Sequence, residues 1–375
     1  VRINPVKTQN NLINNRAIKA LKSLFIADAM AMPVHWYYRV SDIYKQFPNG
    51  IHQFEDAPSF HPSSIMSLHS KQQGGRNHLN SKQNKNIVGD VILKGKENYW
   101  GQTNIHYHQG MKAGENTLNA HCVRVLMQSI IDTKGRYDRD YYLESYITMM
   151  TAKTPLHNDT YAESYHRGFF ANLIKGKDIN NCGAVTHDTA SIGGLVSIGP
   201  LAIILFLSGY DLIYVQSQCE NHLVTTHPDN FLIKVCNDYV ELIQRLLFRD
   251  NQQDASEIIL STLDKSIKLN FKSMDFSKIE DSSIVGGKFS TACYITDSWP
   301  SVLYLAAKYN DDLNAGILAN TNLGGDNVHR GAVLATLLGL IEEAENQQFT
   351  NWYASLKDFR AIDTEIQYLL NLILP

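Results

Sequence analysis

Wherever apolar residues cluster in this chain they recur at intervals of three and four, and that one period decides most of what it can fold into. The stretches AIKALKSLFIADAM (17–30), TLNAHCVRVLMQSII (117–131), Ile192 to Leu207, FLIKVCNDYVELIQRLLF (231–248), SWPSVLYLAAKY (298–309) and GAVLATLLGLIEEAE (331–345) all read as helices. Strand signals are few and short. The expected fold class is therefore all-α, a multi-helix globule in a single domain spanning 1–375, since neither an internal repeat nor a shift in composition marks a second one. Residues 48–105 break the pattern. They are polar and rich in Gly, Asn, Ser and Lys, and only IVGDVIL (87–93) looks like a strand or half of a hairpin. A connection of that length is expected to be a lid, a binding loop or a disordered insertion.

Composition narrows the partners. With 44% hydrophobic residues the chain can bury a large core. The balance of 34 basic against 37 acidic residues, without a basic stripe interleaved with aromatics, argues against nucleic acid as a partner. VRINPVKTQNNLINNR has no apolar signal-peptide core, and LVSIGPLAIILFL (195–207) is too short and too broken by Gly199 and Pro200 to span a bilayer. A soluble, cytoplasmic protein without membrane contact is expected. Five cysteines without CxxC spacing disfavour structural zinc and a disulfide framework. HExxH, GxSxG and EF-hand patterns are absent, and GGKFS (286–290) lacks Walker A spacing.

What remains is a set of polar helix mouths. GENTLNA (114–120) places Glu115, Asn116 and Thr117 at the start of a helix carrying Asn119, and capping alone leaves Glu115, Asn119 and the preceding HYH (106–108) without a role. In LGGDNVHRGA (323–332), Gly324 and Gly325 permit close backbone approach and Asp326 or Asn327 can cap. His329 and Arg330 fall in the first helical turn, where a cation opposes the macrodipole unless an anion is bound. His187 and Asp188 precede a third mouth, and TTHPDN (225–230) forms a fourth. Ordinary capping explains each of the last two by itself, but N-termini converging on one cleft would make a site for an anion or a sugar phosphate.

In order and separation, IADAMAMPVHW (26–36), GENTLNA, TTHPDN and LGGDNVHRGA resemble four motifs of the ADP-ribosylglycohydrolases, which read close to GDAxGxPxE, TDDT, an HPD-like turn and GGDTDT. HYHQGMKAGENTLNA and GGDNVHRGA also look like a subgroup related to lens crystallins recruited from that superfamily. The resemblance implies an all-α fold and hydrolysis of a glycosidic bond in a small-molecule or protein-linked ADP-ribosyl or related ribosyl substrate. In typical members the TDDT and GGDTDT acids hold two magnesium ions. Here Leu118 and Asn119 replace the paired acids, Val328 replaces the next one, and His35 stands where the Glu of the first motif would be. Thr117, Asn119 and Asp326 are then the candidate metal ligands, for a single magnesium ion or none, because hard cations want several anionic oxygens. Candidate catalytic residues are Glu115, Asp188, Asp326, His329 and His35, two carboxylates serving as base and stabiliser and a histidine as acid. Candidate substrate-binding residues are Asn116, His187, Gly324, Gly325, Asn327 and Arg330, with Trp36 and Trp100 as stacking partners for an adenine. A second reading is a non-catalytic member that binds a nucleotide sugar or serves structurally, as crystallins do.

Overall fold

The computed structural model describes residues 7–69, 71, 85–250, 253–266, 275–341 and 346–374. The α-helices among them are α1 (Lys7–Ala31), α2 (Val40–Gln46), α3 (Leu118–Asp132), α4 (Arg139–Met150), α5 (Ser164–Ile174), α6 (Ile198–Leu207), α7 (Leu212–Leu223), α8 (Asn230–Leu247), α9 (Ala255–Ser266), α10 (Asp281–Ile284), α11 (Ile295–Lys308), α12 (Leu313–Asn322), α13 (Asn327–Ile341), α14 (Gln347–Ala354) and α15 (Phe359–Ile373). The described residues form no strand, only isolated bridges such as Phe60 with Ile105 and Ser191 with Tyr294. The expected all-α class therefore holds.

Two helices make the centre. Every residue of α13 is buried, as is every residue of α1 from Lys19 onward except Lys22, because most of their side chains are apolar or small around the whole circumference rather than on one stripe. Small residues set their spacing: a Cβ on Gly339 would lie 2.5 Å from the Ala20 Cα, so the α1 backbone fits only against a glycine. The outer helices are amphipathic in the ordinary way. α8 buries Leu232, Val235, Cys236, Tyr239, Ile243 and Leu246 at three- and four-residue spacing, and the Asp229 carboxylate caps it by accepting from Leu232 N–H at 2.8 Å. Buried Arg249 donates to the carbonyls of Leu340 and Ile341, both at 2.6 Å, which satisfies acceptors that the end of α13 leaves open.

The region between α2 and α3 differs from its expectation. IVGDVIL forms a single wide turn at Ile87–Val91 with Gly89 at φ 99°, and Val88 bridges Ile92 only four positions along the chain, so no hairpin forms. Its apolar residues do not alternate toward one sheet face. They pack inward, with Ile87, Val88, Ile92 and Trp100 buried in the common core. Residues 70 and 72–84 of this region, and 342–345 beyond α13, lie outside the described residues. All five cysteines are free thiols. No helix among the described residues is long and apolar enough to cross a membrane.

Candidate functional site

Three helix N-termini and one helix C-terminus meet at the site, and each carries or binds a titratable group. α1 ends in a short turn that presents His35. Asp326 directly precedes α13, Glu163 is the residue ahead of α5, and Asp159 accepts from the first N–H of α3, that of Leu118, at 2.8 Å. A carboxylate at a helix N-terminus is stabilised by the unpaired N–H groups and the macrodipole, so this placement offsets part of the cost of burying three acids.

Histidines join those carboxylates into one chain of contacts. Asp159 Oδ1 lies 2.8 Å from His108 Nδ1, and His108 Nε2 lies 2.7 Å from His35 Nδ1 across nearly coplanar rings (7°). His35 Nε2 lies 3.1 Å from Asp326 Oδ1, which also pairs with His329 Nδ1 at 2.6 Å. His329 Nε2 then reaches Glu163 Oε1 at 3.2 Å, an ion-pair contact that falls short of hydrogen-bond alignment. All six groups are buried.

The electrostatics follow from burial opposed by these partners. Burial would push His329 down, but the Asp326 and Glu163 carboxylates win and raise it to about 10, so this imidazolium is the cation between two anions. Burial would raise Glu163, yet the adjacent His329 imidazolium holds it at about 2; Asp326 is held low by the same cation. Burial would also lower His108, and the charge of Asp159 reverses that. His35, between His108 and Asp326, is driven by burial to about 4 and stays neutral. His35 thus lies, lowered, between two rings whose pKa values are raised.

Asp326, His329 and Glu163 line a cleft that is partly open to solvent. Its walls are aromatic, with Trp36, Tyr38, Tyr107, Tyr161, Tyr165 and Tyr294, and Arg167, His187 and Asp188 also line it. Trp36 adopts φ 67° and stacks on His35 at 4.7 Å. That left-handed conformation is held by paired hydrogen bonds, Trp36 N–H to Gly325 C=O at 2.8 Å and Gly325 N–H to Tyr37 C=O at 2.7 Å.

The residues singled out from sequence divide between this cleft and the framework around it. Asp326, His329, His187 and Asp188 line the cleft, with His187 Nε2 3.0 Å from Asp188 Oδ1, and His35 stands directly behind Trp36. Gly324 and Gly325 have positive φ, and a Cβ on either would lie 2.1 Å from the carbonyl oxygen of Tyr37 or Thr291, so they hold the loop rather than face a ligand. Arg330, expected to bind an anion, is buried away from the cleft. Its guanidinium donates to Asn320 Oδ1 at 2.8 Å and Gly324 C=O at 2.8 Å, which ties α12 to the glycine loop. Asn327 donates to Thr321 C=O at 2.8 Å. Asn116 and Thr117 both bind Asp28 of α1, at 2.9 Å from the Asn116 amide and 2.6 Å from the Thr117 hydroxyl. Glu115 accepts from Lys112 N–H at 2.9 Å and Asn158 at 2.6 Å, and it does not line the cleft. Trp100 is a core residue whose indole N–H donates to Thr160 C=O at 3.0 Å.

Sequence reading marked His108 only as part of HYH (106–108), without a role, and missed Asp159, Glu163 and Arg167 as site residues. Asp159 lies in irregular chain between α4 and α5 without a motif, and α5 is not marked by a long apolar stripe. The available signal was an acid directly before SYHRGFF, where a helix N-terminus favours it.

A pair of magnesium ions does not fit this cluster, because hard cations need several oxygen ligands. The Thr117 hydroxyl is engaged by Asp28, and the Asn119 side chain bonds Glu163 at 2.9 Å and the Tyr165 hydroxyl. What does converge is His35, Asp326 and His329, whose ligand atoms lie within 4.8 Å of one another, close enough to share one metal ion.

Comparison with known proteins agrees with the geometry. The sequence profile described as ADP-ribosylglycohydrolase matches residues 8–373. Among solved structures, a chain of an "ADP-ribosylglycohydrolase-related protein complex" superposes with a TM-score of 0.56 at 15% identity, covering 97% of this chain and 100% of that one. At such identity the likeness is one of fold. No curated protein matches the sequence. A profile match over nearly the whole length, with the same fold beneath it, establishes that the chain belongs to the ADP-ribosylglycohydrolase family.

Proposed function

We propose that the protein is a hydrolase that cleaves a glycosidic bond of an ADP-ribosyl or related ribosyl compound, with Asp326 and Glu163 as its buried carboxylate pair. The observation that carries this reading is the single imidazole of His329 spanning both carboxylates in the lining of an aromatic cleft. Glycoside cleavage passes through an oxocarbenium-like centre, which anionic groups stabilise as positive charge develops. Asp326 Oδ2 and Glu163 Oε2 have no hydrogen-bond partner and remain available for that role. Asp188, on the rim beside His187 and held at 3.1 Å by the Ser164 hydroxyl, supports the part of the base that activates water. Trp36 and the tyrosines of the wall suit the flat face of a base or the apolar face of a sugar.

The test is release of ADP-ribose or ribose from ADP-ribosyl and ribosyl substrates by the wild-type protein and by Glu163→Gln. Turnover that falls at least about a hundredfold in the variant is expected, in line with loss of a positioned carboxylate. Binding without turnover by the folded wild-type protein would refute the hydrolase reading and favour a non-catalytic, crystallin-like member.

A further inference from the structure

The rings of His35 and His329 each use both nitrogens, one toward Asp326 and one away from it, and the groups on the far side are of one kind. Behind His35 stands His108, 2.7 Å from Nδ1 and itself 2.8 Å from the Asp159 carboxylate. Behind His329 stands the Glu163 carboxylate, 3.2 Å from Nε2. Metal-bound histidines are held in this way, with the free ring N–H directed to a carboxylate, or to one through an intermediary, which fixes the tautomer and the ring plane. On the near side, His35 Nε2 and His329 Nδ1 both point at Asp326 Oδ1, at 3.1 and 2.6 Å, while the other Asp326 oxygen, fully buried, has no partner.

We infer that His35 Nε2, His329 Nδ1 and the Asp326 carboxylate form a mononuclear site for a borderline divalent transition ion, of the zinc, cobalt or iron(II) class, rather than for magnesium. Two imidazoles and one carboxylate make a donor set that such ions prefer and that magnesium, which demands oxygen ligands in octahedral array, does not. Asp326 and His329 also line the cleft, so a molecule bound there would lie beside the ion. In this arrangement Asp159, His108 and Glu163 are positioning residues that act on the metal through the two rings. The inference goes beyond the proposed hydrolase activity and does not depend on it.

The experiment loads metal-free protein, prepared by dialysis against chelator, with Co2+, Zn2+ or Mg2+. One Co2+ per chain is expected, with the visible d–d bands of a nitrogen-ligated ion, displaced by Zn2+ and unaffected by excess Mg2+. Asp159→Asn, which leaves all three ligands in place, should weaken Co2+ binding about 10- to 100-fold. X-ray absorption on Zn2+-loaded wild-type protein needs no variant to fold and should show two imidazoles with Zn–N at about 2.0–2.1 Å. Binding of Mg2+ in preference to Co2+ and Zn2+, an all-oxygen absorption signature, or Co2+ affinity unchanged by Asp159→Asn in a folded variant would each overturn the assignment. None of these readouts requires turnover, so an inactive protein that binds Co2+ as described would refute the hydrolase reading alone.

Discussion

Replacing Asp326 by Asn tests whether the buried charges hold this site together. Burial would lower the His329 pKa, but chiefly the Asp326 charge raises it from 6.5 to about 10. A group raised in this way adds stability that is fully present below its unfolded value and is lost as pH rises through its folded one. Integrating that difference gives about 4 kcal/mol at pH 7 and about 1 kcal/mol at pH 9. Asp326 is itself held below the usual carboxylate range, so attraction to the imidazoles outweighs the cost of burying it. Because Glu163 keeps its contact with His329, the substitution should forfeit the larger part of the total, about 2–4 kcal/mol at pH 7, in keeping with other buried pairs that lose one partner. Urea unfolding followed by circular dichroism, with chelator present, measures this directly. The loss should shrink to about 1 kcal/mol or less at pH 9, where the folded protein still holds the His329 proton but the unfolded chain has released it, so folding must take one up from solution. A loss below about 1 kcal/mol at pH 7, or one of equal size at both pH values, would refute the assignment of His329 as a buried cation held by Asp326.

Two further outcomes are expected. Gly325→Ala should lower stability by about 2 kcal/mol or more in thermal unfolding, since φ is +65° and the new Cβ would lie 2.1 Å from Thr291 C=O; a variant as stable as wild type would contradict the close packing of this loop on Thr291. Burial lowers His222 to about 3 where it bonds the Tyr137 and Ser197 hydroxyls, so the unfolded chain takes up the proton first and stability falls as pH drops from 6.5 toward 3. His222→Gln should flatten that decline by about 1.4 kcal/mol per pH unit, and an unchanged slope in denaturant titrations would show that the ring is not buried neutral.

The order of residues by itself determined the class of fold and the places where chemistry gathers. A period of 3.6 leaves no alternative to helices, and motifs such as LGGDNVHRGA carry their family resemblance in local order alone. Local order also marks a helix mouth, because capping and macrodipole effects act within one turn. It cannot say where a side chain at that mouth points. Arg330 and Asn116 are polar and lie within the motifs, yet they hold framework carbonyls and Asp28, whereas Glu163 and Asp159 lie in stretches without a motif and complete the site. Only the packing of α1, α3, α5 and α13 decided that His35 meets Asp326 across 291 positions of chain. Buried polar groups must find partners, and which partner is within reach depends on contacts between helices far apart in sequence.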